Sequence, residues 1–256
     1  MNIPDTTAAS LRAAGRSPTM PCRLTLANDH TLILNQLLRV LPGKRITGIG
    51  DFAGQNLIVK LFIDPRHGER HWQRERQGIE SLQRAGLPTP SVHSVGRLAD
   101  GGHYILSEFI ENAQSFADMD ALTLRTALPR LFALLGRMHV HGLIHDDAHL
   151  GNFLWRDNTI WILDGDAIRA THNRTAHQRN LALLLTQLPP TVDDTLTMTL
   201  CSAYAQDNPH PLPPPKRMQK LVDQLKRQRL RIWLKKTLRE CSQFSGPAYI
   251  GARQCA

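Results

Sequence analysis

The chain has 256 residues, enough to bury a sizeable core as one large domain or two small lobes, with apolar and charged fractions (41% and 21%) ordinary for a soluble globular protein. Its four cysteines are scattered without a CxxC, and no apolar run approaches the ~20 residues of a membrane span, which argues against a disulfide framework, a zinc ribbon and a transmembrane helix. The formal charge of +9 favours anionic partners, whether nucleotide phosphates, nucleic acid or an acidic membrane surface.

Residues 1–30 read as a loosely ordered arm, because the first part is small, polar and punctuated by proline, and it lacks the apolar middle of a secretory signal. Residues 31–112 read as a strand-rich lobe. RITGIGDF and NLIVKLF form a hairpin closed around Ala53-Gly54, followed by a helix from about Gly68 to Arg84 that is stopped by Gly86 and Pro88. HYILSEFI is a further strand. Residues 113–256 read as a helical lobe. It opens on the helically spaced Leu124, Leu128, Leu131, Leu134, Leu135 and Met138, contains the hairpin FLW-RDN-TIWILD, and is interrupted by NPHPLPPPK at 208–216. Strands first and helices after predict an α+β fold of two lobes with a cleft between them.

The densest chemistry lies in HVHGLIHDDAHLGNFLW, residues 139–155. HDDAH resembles a zinc HExxH site, but that chemistry needs a sustained helix, and Gly142 and Gly151 bracket the segment as a loop. A second spacing fits better. Asp147 and Asn152 stand five apart, and Asp164 follows seventeen residues after Asp147 at the end of a strand. This is the layout of a kinase catalytic loop and its metal-binding aspartate. Asp147 would orient the acceptor hydroxyl and take its proton, while Asn152 and Asp164 would supply hard oxygen ligands to Mg²⁺. The plainer alternative is that Asp147 and Asn152 make turn hydrogen bonds.

Upstream, Lys60 sits inside the apolar run LIVKLF, where an ammonium is costly without a partner. Fifteen residues later Glu75 falls on the same helical face as Trp72, Ile79, Leu82 and Gly86. A buried Lys–Glu pair of this kind positions nucleotide phosphates in kinases.

With those residues in place, AGLPTPSVHSVGR, GRMHVHGLIHDDAHLGN and ILDGDA resemble the protein-kinase-like fold of the lipopolysaccharide core kinases, the Kdo/WaaP-type family, over roughly Leu37 to Phe244. The resemblance implies ATP- and Mg²⁺-dependent phosphorylation of a sugar hydroxyl (heptose or Kdo) in the lipopolysaccharide inner core. It places the enzyme in the cytoplasm, peripheral at the inner membrane of a Gram-negative bacterium. It differs from the protein-kinase pattern in having no G-x-G-x-x-G, so the turn LPGKR with Gly43 stands as the nucleotide lid. SEFIENAQS stands as the hinge, where the backbone at Glu108 and Ile110 would bind adenine. Asp166 stands as a second acid at the metal, a cap, or a partner for Arg169. His145 supports the loop from the core, His149 contacts phosphate or solvent, and His139 and His141 sit at a helix C-terminus, where cations favour the dipole. Gly151-Asn152 also resembles aminoglycoside and choline kinase-like enzymes, so a soluble small molecule or a protein remains an alternative acceptor, and a silent kinase-like binding module an alternative role.

The basic stretch from Lys216 to Arg239 is interleaved with Leu221, Leu225, Leu230, Trp233, Leu234 and Leu238. These predict a helix that packs its apolar face on the lobe and turns its cations to an anionic membrane. The chain is expected to be a monomer. Nucleic acid is not expected as a partner, because only 5% of residues are aromatic and no RNA-binding motif is present.

Overall fold

The structure is a computed structural model that describes residues 3–188, 194–208, 210 and 212–244. A six-stranded antiparallel sheet is built from β1 (Cys22–Thr25), β2 (Thr31–Leu41), β3 (Arg45–Phe52), β4 (Gln55–Phe62), β5 (Val92–Arg97) and β6 (His103–Glu108), in the order β1-β2-β3-β4-β6-β5. Side chains alternate along a strand. On β4, Leu57, Val59 and Leu61 therefore enter a core shared with Leu24, Leu34 and Leu106, while Ile58 and Lys60 face the other way, into a cleft. The β3–β4 turn is made by Ala53 and Gly54, both with positive φ (52° and 79°), as a two-residue hairpin requires.

RITGIGDF is strand throughout, and its glycines serve packing: a Cβ at Gly48 would lie 2.3 Å from the carbonyl oxygen of Gln36, and one at Gly50 2.5 Å from that of Ile33. The opposing strand β2 is irregular in register between Leu34 and Gln36, and again between Leu37 and Arg39, where it crowds β3.

The N-terminal segment differs from the loose arm expected of residues 1–30. Helix α1 (Ala8–Ala13) is capped by Thr7 and buries Ala8 and Leu11, while Cys22, Leu24 and Leu26 alternate into the same core. Backbone bonds tie Pro4 and Thr6 to Arg23. The apolar spacing is real but spread over single residues among Pro, Ser, Thr and Arg, so it yields no periodic run.

Helix α2 (Gly68–Arg84) follows β4 and buries Glu75, Gly78, Ile79 and Leu82. After β6 the chain crosses through β7 (Gln114–Ser115) to α3 (Ala121–Val140), whose first turn is capped by the Asp120 carboxylate accepting from the N–H groups of Leu122 and Thr123. Then come β8 (Leu143–His145), the hairpin β9 (Phe153–Arg156) and β10 (Thr159–Ile162), β11 (Ile168–Ala170), α4 (Arg174–Leu185), α5 (Asp194–Gln206) and α6 (Pro215–Phe244). A second core joins Leu128, Leu131, Phe132, Leu135 and Met138 of α3 to Phe153, Ile162, Leu181 and Leu200. Of the interrupting segment NPHPLPPPK, Pro209 and Pro211 lie outside the described residues.

Helix α6 departs from its expected packing. Val222 and Leu225 are buried against Ala182, but Leu230 and Leu234 are 55% and 44% exposed, with Ile232 at 60%. Arg229 still reaches Thr186 (3.1 Å), and every described side chain beyond it is exposed. The side chains of Trp233, Lys236, Leu238 and Arg239 lie outside the described residues.

Candidate active site

Between the two cores lies a cavity of about 360 Å³, within the size range of small-molecule sites. Ile58, Ile105, Leu154 and Ile162 give it apolar walls, and Lys60, Glu75, Asn152 and Asp164 meet at its polar end. Lys60 and Asp164, 104 residues apart in sequence, thus line one space.

Lys60 Nζ contacts Glu75 Oε1 directly. Glu75 is 1% exposed and fully engaged: Oε1 also accepts from the N–H of Gly165 and Oε2 from that of Asp166, both at 3.1 Å. The carboxylate therefore couples the sheet to the turn that carries Asp164. That turn is tight. Asp164 has φ 61°, an uncommon conformation for a residue with a side chain, and its carbonyl accepts from the N–H of Ala167.

Residues 143–152 form a short strand, a turn and one 3-10 turn, which removes the shared helical face a zinc HExxH site needs. Asn152 is 7% exposed, and its Nδ2 donates to the carbonyl of Asp147 at 2.9 Å. With the amide nitrogen so engaged, Oδ1 is the atom left for another ligand. Asn152 Oδ1 and the Asp164 carboxylate line the same cavity and form a hard, all-oxygen donor pair that fits Mg²⁺, an ion that keeps waters and phosphate oxygens for its remaining positions. Among the described residues no group of three or more His, Cys, Asp or Glu is disposed to hold a metal ion. Asp147 does not line the cavity: its side chain is 59% exposed, with His149 Nε2 3.6 Å from its Oδ2, and its carbonyl meets Asn152, which does.

Behind the loop is a buried histidine network. Asn180 Nδ2 donates to the carbonyl of His145 (2.6 Å), which orients Oδ1 to accept from the N–H of His145 (3.3 Å) and from His139 Nε2 (3.0 Å). His139 Nδ1 is then the acceptor of the Tyr204 hydroxyl (2.6 Å), whose oxygen in turn accepts from Asn208 Nδ2 (2.9 Å). Burial first, and the neighbouring His177 after it, push His139 down to about 4, so it is neutral. This corrects its expected role as a cation on the helix dipole. His145, fully buried with Nε2 on the carbonyl of Leu163 (2.9 Å), is likewise held below the usual histidine range, chiefly by burial, and supports the loop as expected.

Other assignments move. Gly43 (φ 69°) makes the β2–β3 turn but does not line the cavity; Leu38, Arg39, Arg45 and Thr47 on the flanking strands do. Arg169 pairs with Asp146 through two bonds (2.9 and 3.1 Å), not with Asp166. Asp166 is held instead by His71 (2.9 Å) and Arg74 (3.1 Å) of α2. At the hinge, Glu108 and Ile110 line the cavity; the N–H of Glu108 donates to the carbonyl of Ser91 and the carbonyl of Ile110 accepts from Ala113. Sequence reasoning passed over Arg45 and Gly78. A cation just past the turn, one strand from Lys60, was the available signal for the first.

A sequence-family model described as the lipopolysaccharide kinase (Kdo/WaaP) family matches residues 57–204. No curated protein matches the chain. Among solved structures, one described as vaccinia related kinase 3 aligns at 13% identity with a TM-score of 0.48, over 85% of this chain and 88% of that one.

Proposed function

The chain belongs to the lipopolysaccharide kinase (Kdo/WaaP) family and is thus an ATP-dependent kinase, and from that premise we propose that its acceptor is a heptose or Kdo hydroxyl of the lipopolysaccharide inner core. The observation that carries the site assignment is the convergence of the Lys60–Glu75 pair, Asn152 and Asp164 on one cavity, with Asp147 exposed beside it. In this reading Asp147 orients the acceptor hydroxyl and receives its proton, and Lys60, fixed by Glu75, holds nucleotide phosphate. The apolar walls take the nucleobase, with the N–H of Ile110 and the carbonyl of Glu108 as its polar partners. Asn152 and Asp164 hold Mg²⁺, which when bound neutralises charge on the transferring phosphoryl group.

The acceptor reading draws further support from α6. Its described cations Lys216, Arg217, Lys220, Lys226, Arg227, Arg231 and Lys235 are exposed, and Leu230, Ile232 and Leu234 stand bare among them. Among the described residues no helix is long and apolar enough to cross a membrane. A basic helix with exposed apolar side chains suits reversible attachment to an anionic leaflet, where a lipid-linked sugar acceptor would be found.

Mass spectrometry of lipopolysaccharide core from cells with and without the gene tests the acceptor. Loss of one core phosphate, restored by the wild-type gene and not by the Asp147→Asn variant, is the expected result. An unchanged core would reject the sugar acceptor in favour of a soluble one.

A further inference from the structure

Arg45 begins β3 directly after the β2–β3 turn, and its side chain, 16% exposed, lines the cavity. Its Nη1 lies 3.6 Å from Asp164 Oδ1, 3.8 Å from Asp166 Oδ2 and 3.9 Å from Glu75 Oε2. These distances exceed hydrogen-bond length. The cation is thus shared electrostatically among three carboxylates and fastened to none of them. The other cations of the cluster are committed, Lys60 to Glu75 and Arg74 to Asp166.

Two demands meet at Arg45. A divalent cation bound by Asp164 would compete with the guanidinium that now shadows that carboxylate. Nucleotide phosphates in this cavity would also lack the backbone-amide cradle of a glycine-rich loop, since Gly43 stands outside it and Gly48 and Gly50 are strand residues closed in by β2. A guanidinium suits the second demand, because its planar fork matches phosphate oxygens and remains charged.

We propose that Arg45 exchanges partners during the cycle: it neutralises Asp164 and Asp166 in the nucleotide-free protein, then binds the terminal phosphates of ATP once a divalent cation takes its place at Asp164. The idea rests on the kinase reading of the site, which it deepens by naming the side chain that stands in for the missing loop.

Calorimetric titration of the full chain with adenosine, ADP and a non-hydrolysable ATP analogue, each with Mg²⁺, tests it. Arg45→Gln should weaken ADP and the ATP analogue by roughly 10- to 100-fold, the range of one or two charge-assisted hydrogen bonds, while adenosine binding is unchanged. Arg45→Lys should recover part of the loss. Retained adenosine binding also reports that the variant is folded. Electron paramagnetic resonance of Mn²⁺ with nucleotide-free protein should show tighter binding to Arg45→Gln than to wild type, because the competing cation is gone. If Arg45→Gln leaves the ratio of ATP-analogue to adenosine affinity unchanged, or leaves Mn²⁺ binding unchanged, while wild type binds the analogue in an Asp164-dependent way, the partner exchange is wrong and the kinase assignment stands. Wild-type protein that binds adenosine and the analogue equally overturns both.

Discussion

Gly78 of α2 and Gly165 of the Asp164 turn touch backbone to backbone: a Cβ on Gly78 would fall 1.9 Å from the carbonyl oxygen of Gly165, and one on Gly165 2.3 Å from that of Glu75. This contact lets the Glu75 carboxylate reach the N–H groups of Gly165 and Asp166 while it holds Lys60. The position of α2 and the position of Asp164 are therefore one variable.

Gly78→Ala sets two effects against each other. Alanine in a helix interior gains about 1 kcal/mol over glycine. Overpacking against a neighbouring backbone that cannot rotate away costs about 1–3 kcal/mol. The second should win, lowering the urea midpoint and also lowering turnover, because α2 must shift and carry Glu75 with it. A variant more stable than wild type would mean the contact is slack.

Asp147→Asn should slow phosphoryl transfer roughly 10²–10⁴-fold with nucleotide affinity nearly intact, since it removes the group proposed to receive the acceptor's proton. Asp164→Asn should instead weaken binding of the metal–nucleotide complex. Rapid-quench turnover and equilibrium binding separate the two, and full turnover by Asp147→Asn would misplace the catalytic loop.

Lys60→Ala strands Glu75 in a site where it is 1% exposed, a loss that can reach about 3–5 kcal/mol for a buried pair broken on one side. The Lys60→Ala, Glu75→Ala double variant should be less destabilised than the sum of the singles, because both remove the same interaction. Chemical denaturation of all four proteins completes the cycle; additive losses would show that the pair contributes nothing specific.

His139 makes the helical lobe sensitive to acid. Its folded value of about 4 lies below the ordinary histidine value near 6.5, so at intermediate pH the unfolded chain binds the extra proton. Stability present above pH 6.5 should fall as pH drops toward 4, by up to roughly 3 kcal/mol from this residue, and then level off. His145 and His177, also held low chiefly by burial, act in the same direction. Urea titrations at pH 7, 6 and 5 should show the decline, and the ring resonances of His139 should not titrate between pH 7 and 5.

The exposed end of α6 predicts cosedimentation with liposomes that requires anionic lipid and weakens as salt is raised. Leu230→Ser, Ile232→Ser and Leu234→Ser together should reduce the fraction bound while retaining its salt dependence, because they remove the apolar part of the contact alone. Protein left in the supernatant with anionic vesicles at low salt would reject attachment.

What the chain declares in one dimension is what depends on local spacing. The β3–β4 hairpin and α2 with Glu75 on its inner face follow from periodicity and turn chemistry, and so does the register of Lys60 on the face opposite Val59. The spacing of Asp147, Asn152 and Asp164 is likewise local, set by a loop, a hairpin and a strand end, and Asn152 and Asp164 line one cavity. The choices made across the sheet and between lobes were not legible. Asp166 found α2 and Arg169 found Asp146 because the β8–β11 pairing places Arg169 opposite Ile144, and only that pairing decides which carboxylate a cation meets. The N-terminal helix joined the core through Ala8 and Leu11, two residues too few to make a periodic signal, and His139 lost its charge because Tyr204 and Asn180, 65 and 41 residues away in sequence, closed over it. Short-range period and turn chemistry are written residue by residue, whereas burial and charge partnership are properties of whichever distant surface arrives, and only the folded chain supplies it.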